Sequence, residues 1–216
     1  MKIIKELDMF SYLKIYTLLL VVVLFSACTG TSKKTEKSEN RSTTIDSRKF
    51  ETKSGKLFVV HIDHSFGVSL NEVRIETINF AAANEVYKLG TIDPVERIFL
   101  ADIDNNGFEE LYLVTRSGGS GSYSTIYGIA SNKDKSATPI YVPPISEKQQ
   151  QAGELFEGFL GHNKFSIENG RLVNEFPVYV EGDTNAKATG GLRKIKYKLV
   201  TGEAGWILNP GTKVDP

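Results

Sequence analysis

The sequence predicts an all-β domain, built as an antiparallel sandwich or barrel, and three observations carry that expectation. Short apolar or β-branched runs recur at roughly ten-residue spacing, with turn residues between them. Within several runs the residues alternate: Val73, Ile75 and Thr77 interleave with Glu72, Arg74 and Glu76, the period of a half-buried strand. The best helical candidate, Glu147–Phe159, is short.

The runs can be justified in order. Leu57–Ile62 is apolar and β-branched, and the alternating segment at Val73 follows it. Arg97–Ala101 and Glu110–Thr115 flank an Asp-Asn-Asn-Gly turn and make a natural hairpin. Thr125–Ala130 and Ile140–Val142 come next. Lys164–Ile167 and Leu172–Phe176 are separated by Glu168-Asn169-Gly170, a second hairpin signal. Val178–Glu181, Leu192–Val200 and Trp206–Leu208 close the series. No internal repeat of fixed period is visible.

Composition bounds the function. The chain is 40% hydrophobic and 24% charged, enough apolar content for a real core. Its 26 basic and 26 acidic residues cancel, which argues against a nucleic-acid partner.

The N-terminus reads as an export signal. Lys2, Lys5 and Lys14 precede an apolar run from Ile15 to Leu24, and Phe25-Ser26-Ala27 leads to Cys28, the chain's one cysteine. The run through Ala27 is about 13 residues, short of the roughly 20 that span a bilayer. Small residues directly before Cys28 resemble the lipobox of bacterial lipoproteins, which implies lipidation of Cys28 and anchoring in the cell envelope, at the outer membrane or the periplasmic face. Residues 1–27 are then the signal, and residues 28–55 the lipidated cysteine with a flexible polar linker. That linker is rich in Thr, Ser, Lys and Glu and too poor in apolar side chains to offset its ordering entropy. The folded domain is expected over 56–210, with 211–216 as a tail.

Three stretches carry candidate chemistry. Asp102, Asp104 and Asn106 place oxygen ligands at alternate positions before Gly107, the first half of a calcium loop. The twelfth position of an EF-hand would be Leu113 rather than a bidentate Glu, so an Asp/Asn-rich β-turn is the favoured reading and calcium the weaker one. His61, Asp63 and His64 do not assemble as ligands, because His64 points to the opposite face of a strand from the other two. No resident cofactor is expected.

Ser117-Gly118-Gly119-Ser120-Gly121-Ser122-Tyr123 is the most informative stretch. It approaches a nucleophile elbow around Ser120, but Ser122 stands where the second glycine belongs, and strands flank it on both sides. It fits neither a dinucleotide fingerprint nor a phosphate loop. No catalytic residue is therefore assigned, and the chain does not read as an enzyme. A slender projecting finger is expected instead, with serine hydroxyls to donate to carboxylates and Tyr123 as an amphipathic anchor. On residue chemistry alone, a flexible hairpin tip with no partner is an equal reading.

A resemblance shifts that balance. Ala101-Asp102-Ile103-Asp104-Asn105-Asn106-Gly107, Thr115-Arg116-Ser117 and Ser120-Gly121-Ser122-Tyr123 run in order. Gly161-His162, Glu168-Asn169-Gly170-Arg171-Leu172-Val173 and Phe176-Pro177-Val178-Tyr179 follow. Glu181-Gly182-Asp183, Gly190-Gly191 with Arg193, Tyr197-Lys198-Leu199-Val200 and Gly202-Glu203-Ala204-Gly205-Trp206 complete the series. Together these resemble the bacterial periplasmic inhibitors of i-type (invertebrate) lysozyme, over residues 56–210.

The resemblance implies an antiparallel β-sandwich of about eight strands. It also implies a protein partner, an i-type lysozyme, whose cleft receives the loop. Ser120 and Tyr123 would be the contact side chains, with Gly121 and Ser122 shaping the tip. The lipid anchor and long linker depart from the soluble members of that family. Two rivals stand beside this reading: an envelope-anchored glycan-binding or adhesion lipoprotein, calcium-stabilised, using Tyr123 and Tyr127, and a hydrolase with an unrecognised site. Monomer and homodimer are both left open.

Overall fold

The computed structural model describes residues 45–214. The expected signal, Cys28 and the linker up to residue 44 lie outside the described residues. Among the described residues the fold is all-β, with twelve strands in two sheets of four and eight, more than the eight or so that the resemblance implies.

The smaller sheet is a meander of β1 (Ile45–Glu51), β2 (Leu57–Asp63), β3 (Asn71–Ile78) and β4 (Val86–Ile92), each antiparallel to the next. β3 realises the predicted alternation, with Val73, Ile75 and Thr77 buried while Glu72 and Arg74 are exposed. β1 corrects the expected linker, because residues 45–51 pair along their length with β2, from Ile45↔Asp63 to Glu51↔Leu57. The strand is mostly polar, so main-chain hydrogen bonds hold it, with Phe50 alone packed against the core of this sheet. The turn that joins the two strands is tied by Thr52, whose Oγ1 accepts from the Lys56 N–H at 3.0 Å. Charges at Asp46, Arg48, Lys49 and Glu51 suit an edge strand, where they discourage pairing with another chain.

The larger sheet comprises β5 (Val95–Ala101), β6 (Glu110–Arg116), β7 (Ser124–Ser131), β8 (Ala137–Tyr141), β9 (Lys164–Glu168), β10 (Arg171–Pro177), β11 (Leu192–Thr201) and β12 (Trp206–Val214). Its order is β5-β6-β7-β8-β12-β11-β10-β9. Both predicted hairpins form. Ala101 pairs with Glu110, and Glu168 pairs with Arg171 across Asn169 (φ 50°) and Gly170 (φ 72°), a two-residue turn with both dihedrals positive. One pairing is not antiparallel: β8 lies parallel to β12, with Trp206 opposite Ile140. β12 reaches Val214, so most of the expected C-terminal tail belongs to the sheet.

Both faces of β6 and β7 are buried. Leu111, Leu113 and Ile129 pack with Phe58, Val60, Ile62, Val73 and Ile75 of the smaller sheet, which joins the two sheets in a sandwich-like arrangement. On the opposite face Tyr112, Val114, Ile126 and Ala130 pack with Phe165, Leu172, Phe176, Ile195 and Leu208. The larger sheet therefore curls over its own second core. Across the gap between its two ends, Arg97 Nη2 donates to the Phe165 carbonyl.

The predicted helix at Glu147–Phe159 is replaced by one short 3-10 turn, Lys148–Gln150, followed by a chain of turns. Gly153 (φ 84°) and Gly158 (φ 71°) leave the helical region, and Arg193 on β11 donates through Nη1 to the carbonyls of Glu154, Leu155 and Glu157. The same segment drives Phe156 fully inside, stacked on Phe176 at 5.8 Å, with Phe159 edge-on to Phe176 at 4.9 Å. Val178–Glu181 is not a strand either, retaining a single bridge between Val178 and Phe159.

Candidate functional site

The β6–β7 hairpin ends where Arg116 pairs with Ser124, and Ser117–Tyr123 form its loop. The loop closes on itself through Ser117 N–H to the Tyr123 carbonyl (2.9 Å), Tyr123 N–H to Ser117 Oγ (2.9 Å) and Ser122 N–H to the Gly119 carbonyl (2.9 Å). The neighbouring segments then brace it. Arg116 Nη1 donates to both the carbonyl and the Oγ of Ser122 at 3.1 Å, and its Nη2 reaches the Asn163 carbonyl at 3.3 Å. His162 N–H donates to the Gly121 carbonyl, and Asn185 Nδ2 donates to the Ser120 carbonyl at 2.8 Å.

Asn163 is the keystone of that brace. It is buried, and its amide accepts from Ser124 N–H at 2.8 Å while donating to the Ser124 carbonyl and to Asn174 Oδ1, each at 3.0 Å. The expected projecting finger is thus divided. Its base at Gly121 and Ser122 is partly covered and fastened, whereas Gly118, Gly119 and Ser120 stand exposed at the tip. Tyr123 is 44% exposed, its ring edge-on to Phe159 at 5.8 Å and close over Gly121. Next to Tyr123 lies a groove of about 550 Å³, whose walls include Tyr141, Pro143, Ile145 and Phe159.

Sequence reasoning places Ser120, Gly121, Ser122 and Tyr123 in one loop, and the structure keeps them together. It does not assign Arg116, His162, Asn163 or Asn185 to the loop, although Arg116 and His162 stand in the blocks that carry the resemblance. No local pattern links those positions.

The second cluster lies at the other end of β6. Asp102 accepts from Asn106 N–H (3.0 Å) and Gly107 N–H (2.9 Å), and Asp104 accepts from Asn106 N–H (3.1 Å) and Nδ2 (2.9 Å). Asn106 Oδ1 turns away to accept from Phe108 N–H at 2.8 Å. The structure adds a residue the sequence reading passed over: Glu110, the first residue of β6, joins Asp102 and Asp104 in a cluster compact enough for a metal ion. Burial pushes the Glu110 carboxyl up to about 8 and also raises that of Asp104. The signal was present in the spacing Asp-x-Asp-x-Asn-Gly-x-x-Glu over 102–110.

The histidine cluster is separated. His61 Nδ1 meets Ser47 Oγ at 2.8 Å and its Nε2 lies 3.6 Å from Glu76, while His64 Nδ1 meets Asn71 Nδ2 at 3.0 Å.

The fold is all-β, and it carries a braced loop whose tip faces solvent. Comparison of the chain with protein-family models, with curated proteins and with solved structures finds no match.

Proposed function

We propose that the protein is an inhibitor of i-type lysozyme, exported and lipid-anchored through Cys28 in the cell envelope, that inserts the Ser117–Tyr123 loop into the enzyme's substrate cleft. The observation carrying this reading is the division of the loop into a fastened base and an open tip. Binding orders the parts that make contact, at about 0.5–1.5 kcal/mol for each immobilised flexible side chain. Here Arg116, His162 and Asn185 already hold the backbone at Ser122, Gly121 and Ser120. Ser120 is exposed, and Tyr123 offers a half-exposed ring packed at a steep angle against Phe159.

A lysozyme cleaves its glycan between two carboxyl groups. A slim loop bearing hydroxyls can donate to those groups once water is expelled, and a hydrogen bond to a charged group contributes about 1.5–3 kcal/mol. Occupying the cleft excludes substrate, so peptidoglycan is spared. Ser122 has a supporting part here, since Arg116 engages its Oγ.

The test is inhibition of i-, c- and g-type lysozymes by the purified chain. Inhibition of the i-type enzyme is expected, and it should weaken by about 2 kcal/mol or more when Ser120 and Tyr123 are both replaced by alanine. Full potency in that double variant would overturn the loop assignment.

A second reading, a glycan-binding envelope lipoprotein, is favoured by the groove beside Tyr123, since Tyr141 is 60% exposed and Tyr123 borders the same space. Binding of soluble peptidoglycan fragments that is lost in Tyr141→Ala, without any effect on lysozyme, would favour it.

A further inference from the structure

The turn between β5 and β6 holds an unsatisfied buried oxygen. Glu110 is fully buried; its Oε2 accepts from Ile103 N–H at 3.2 Å and from the Tyr112 hydroxyl at 3.3 Å, while its Oε1 has no hydrogen-bond partner. Leaving such an acceptor dry and unpaired is costly. The charged groups that act on Glu110 are Asp104 and Asp102, and both repel it. One oxygen from each of the three carboxylates lies within 4.8 Å of the others.

A hard cation resolves all three features at once. Calcium takes oxygen ligands at about 2.3–2.6 Å, so two ligands on opposite sides of one ion sit near 4.8 Å apart. The N–H groups of Asn106 and Gly107 fix the Asp102 and Asp104 carboxylates, and each carboxylate oxygen has a second lone pair to offer a metal. Asn105 (φ 58°) and Gly107 (φ 88°) give the turn its tight path.

We propose that Asp102, Asp104 and Glu110 bind a calcium ion that locks the β5–β6 hairpin, with water completing the coordination shell. Glu110 is the ligand that makes the turn a site, because it comes from the strand and adds a buried oxygen without a hydrogen-bond partner to the two turn carboxylates. The site is independent of the recognition loop. Glu110 opens β6 and Arg116 closes it, so the two lie about 20 Å apart along the strand.

The experiment uses the full chain stripped with chelator. Calcium at about 1 mM, a concentration that fills extracellular-type sites, should raise the thermal midpoint by several degrees. Terbium should bind in calcium's place and emit when Tyr112, whose hydroxyl touches Glu110, is excited, and added calcium should quench that emission. Glu110→Gln and Asp104→Asn should each abolish both responses and leave lysozyme inhibition unchanged. A wild-type chain with no calcium shift and no terbium emission would overturn the proposal, as would a folded Glu110→Gln chain that keeps the full response.

Discussion

The backbone N–H of His162 donates to the carbonyl oxygen of Gly121 across 2.7 Å, joining two positions 41 residues apart in the chain. Next to it, Gly161 (φ +95°) packs so closely that a Cβ there would sit 2.1 Å from the same carbonyl oxygen. The Ser117–Tyr123 loop is therefore seated on a backbone shelf that only glycine leaves open. This seat adds to the loop's own hydrogen bonds, since Gly118 to Gly121 have little intrinsic order.

Replacing Gly161 by alanine should unseat the loop. Both the positive φ and the clash with a main-chain atom oppose a side chain, so a loss of about 1–3 kcal/mol is expected. Urea denaturation would measure it, with inhibition weakened in parallel. A variant as stable and as potent as wild type would show that the shelf is not rigid.

Arg116→Ala should act on the loop and leave the fold intact. The guanidinium contacts Ser122 twice, Asn163 once and Glu96 through Nε at 3.0 Å, and lysine could not reproduce that fork. Hydrogen exchange of residues 117–123 should quicken while the amides of β10 and β11 keep their protection.

Acid should loosen the second brace. Asp183 accepts from Val180 N–H, Thr189 N–H and Thr189 Oγ1, and these bonds hold its carboxyl below the usual 3.8. A depressed folded value means the contribution is complete above 3.8 and disappears as pH falls through the lower folded value. The 180–189 segment, which carries Asn185 and its bond to Ser120, should open first in acid. Exchange of the Thr189 amide followed against pH would show it, and Asp183→Asn should display the loosened state already at neutral pH.

Core and surface aromatics should separate sharply. Phe156→Ala removes a fully buried ring stacked on Phe176 and should cost about 3–5 kcal/mol. Tyr141→Ala, at an exposed position, should change stability by no more than about 0.5 kcal/mol. Equal losses in chemical denaturation would mean that the second core is not centred on Phe156.

The two predicted hairpins show what kind of structure is legible in sequence. At Asn169-Gly170 the dihedrals that close the turn are a local preference of those residues, so β9 and β10 could be read directly. β1 could not be read, because its residues are polar and its hydrogen bonds are drawn from β2. The helix expected at Glu147–Phe159 is interrupted at Gly153 and Gly158, both at positive φ, and Arg193 of β11 takes the carbonyl of Glu157. The acidic turn was half legible. Asp102, Asp104 and Asn106 stood out by spacing, but the weight of Glu110 rests on burial and on an oxygen left without a partner, and neither property belongs to a spacing.

By itself, then, the sequence determined the all-β class, most strand positions, the hairpin turns and the identity of the exposed loop, because each follows from the dihedral or burial preference of residues close together in the chain. Tertiary structure alone decided that the larger sheet curls over its own core, that β8 joins β12 in parallel, and that His162, Asn185 and Arg116 hold the loop in place. It also decided that buried Glu110 meets the partly buried Asp102 and Asp104. Those outcomes depend on where distant segments come to rest, and short-range preferences carry no information about that.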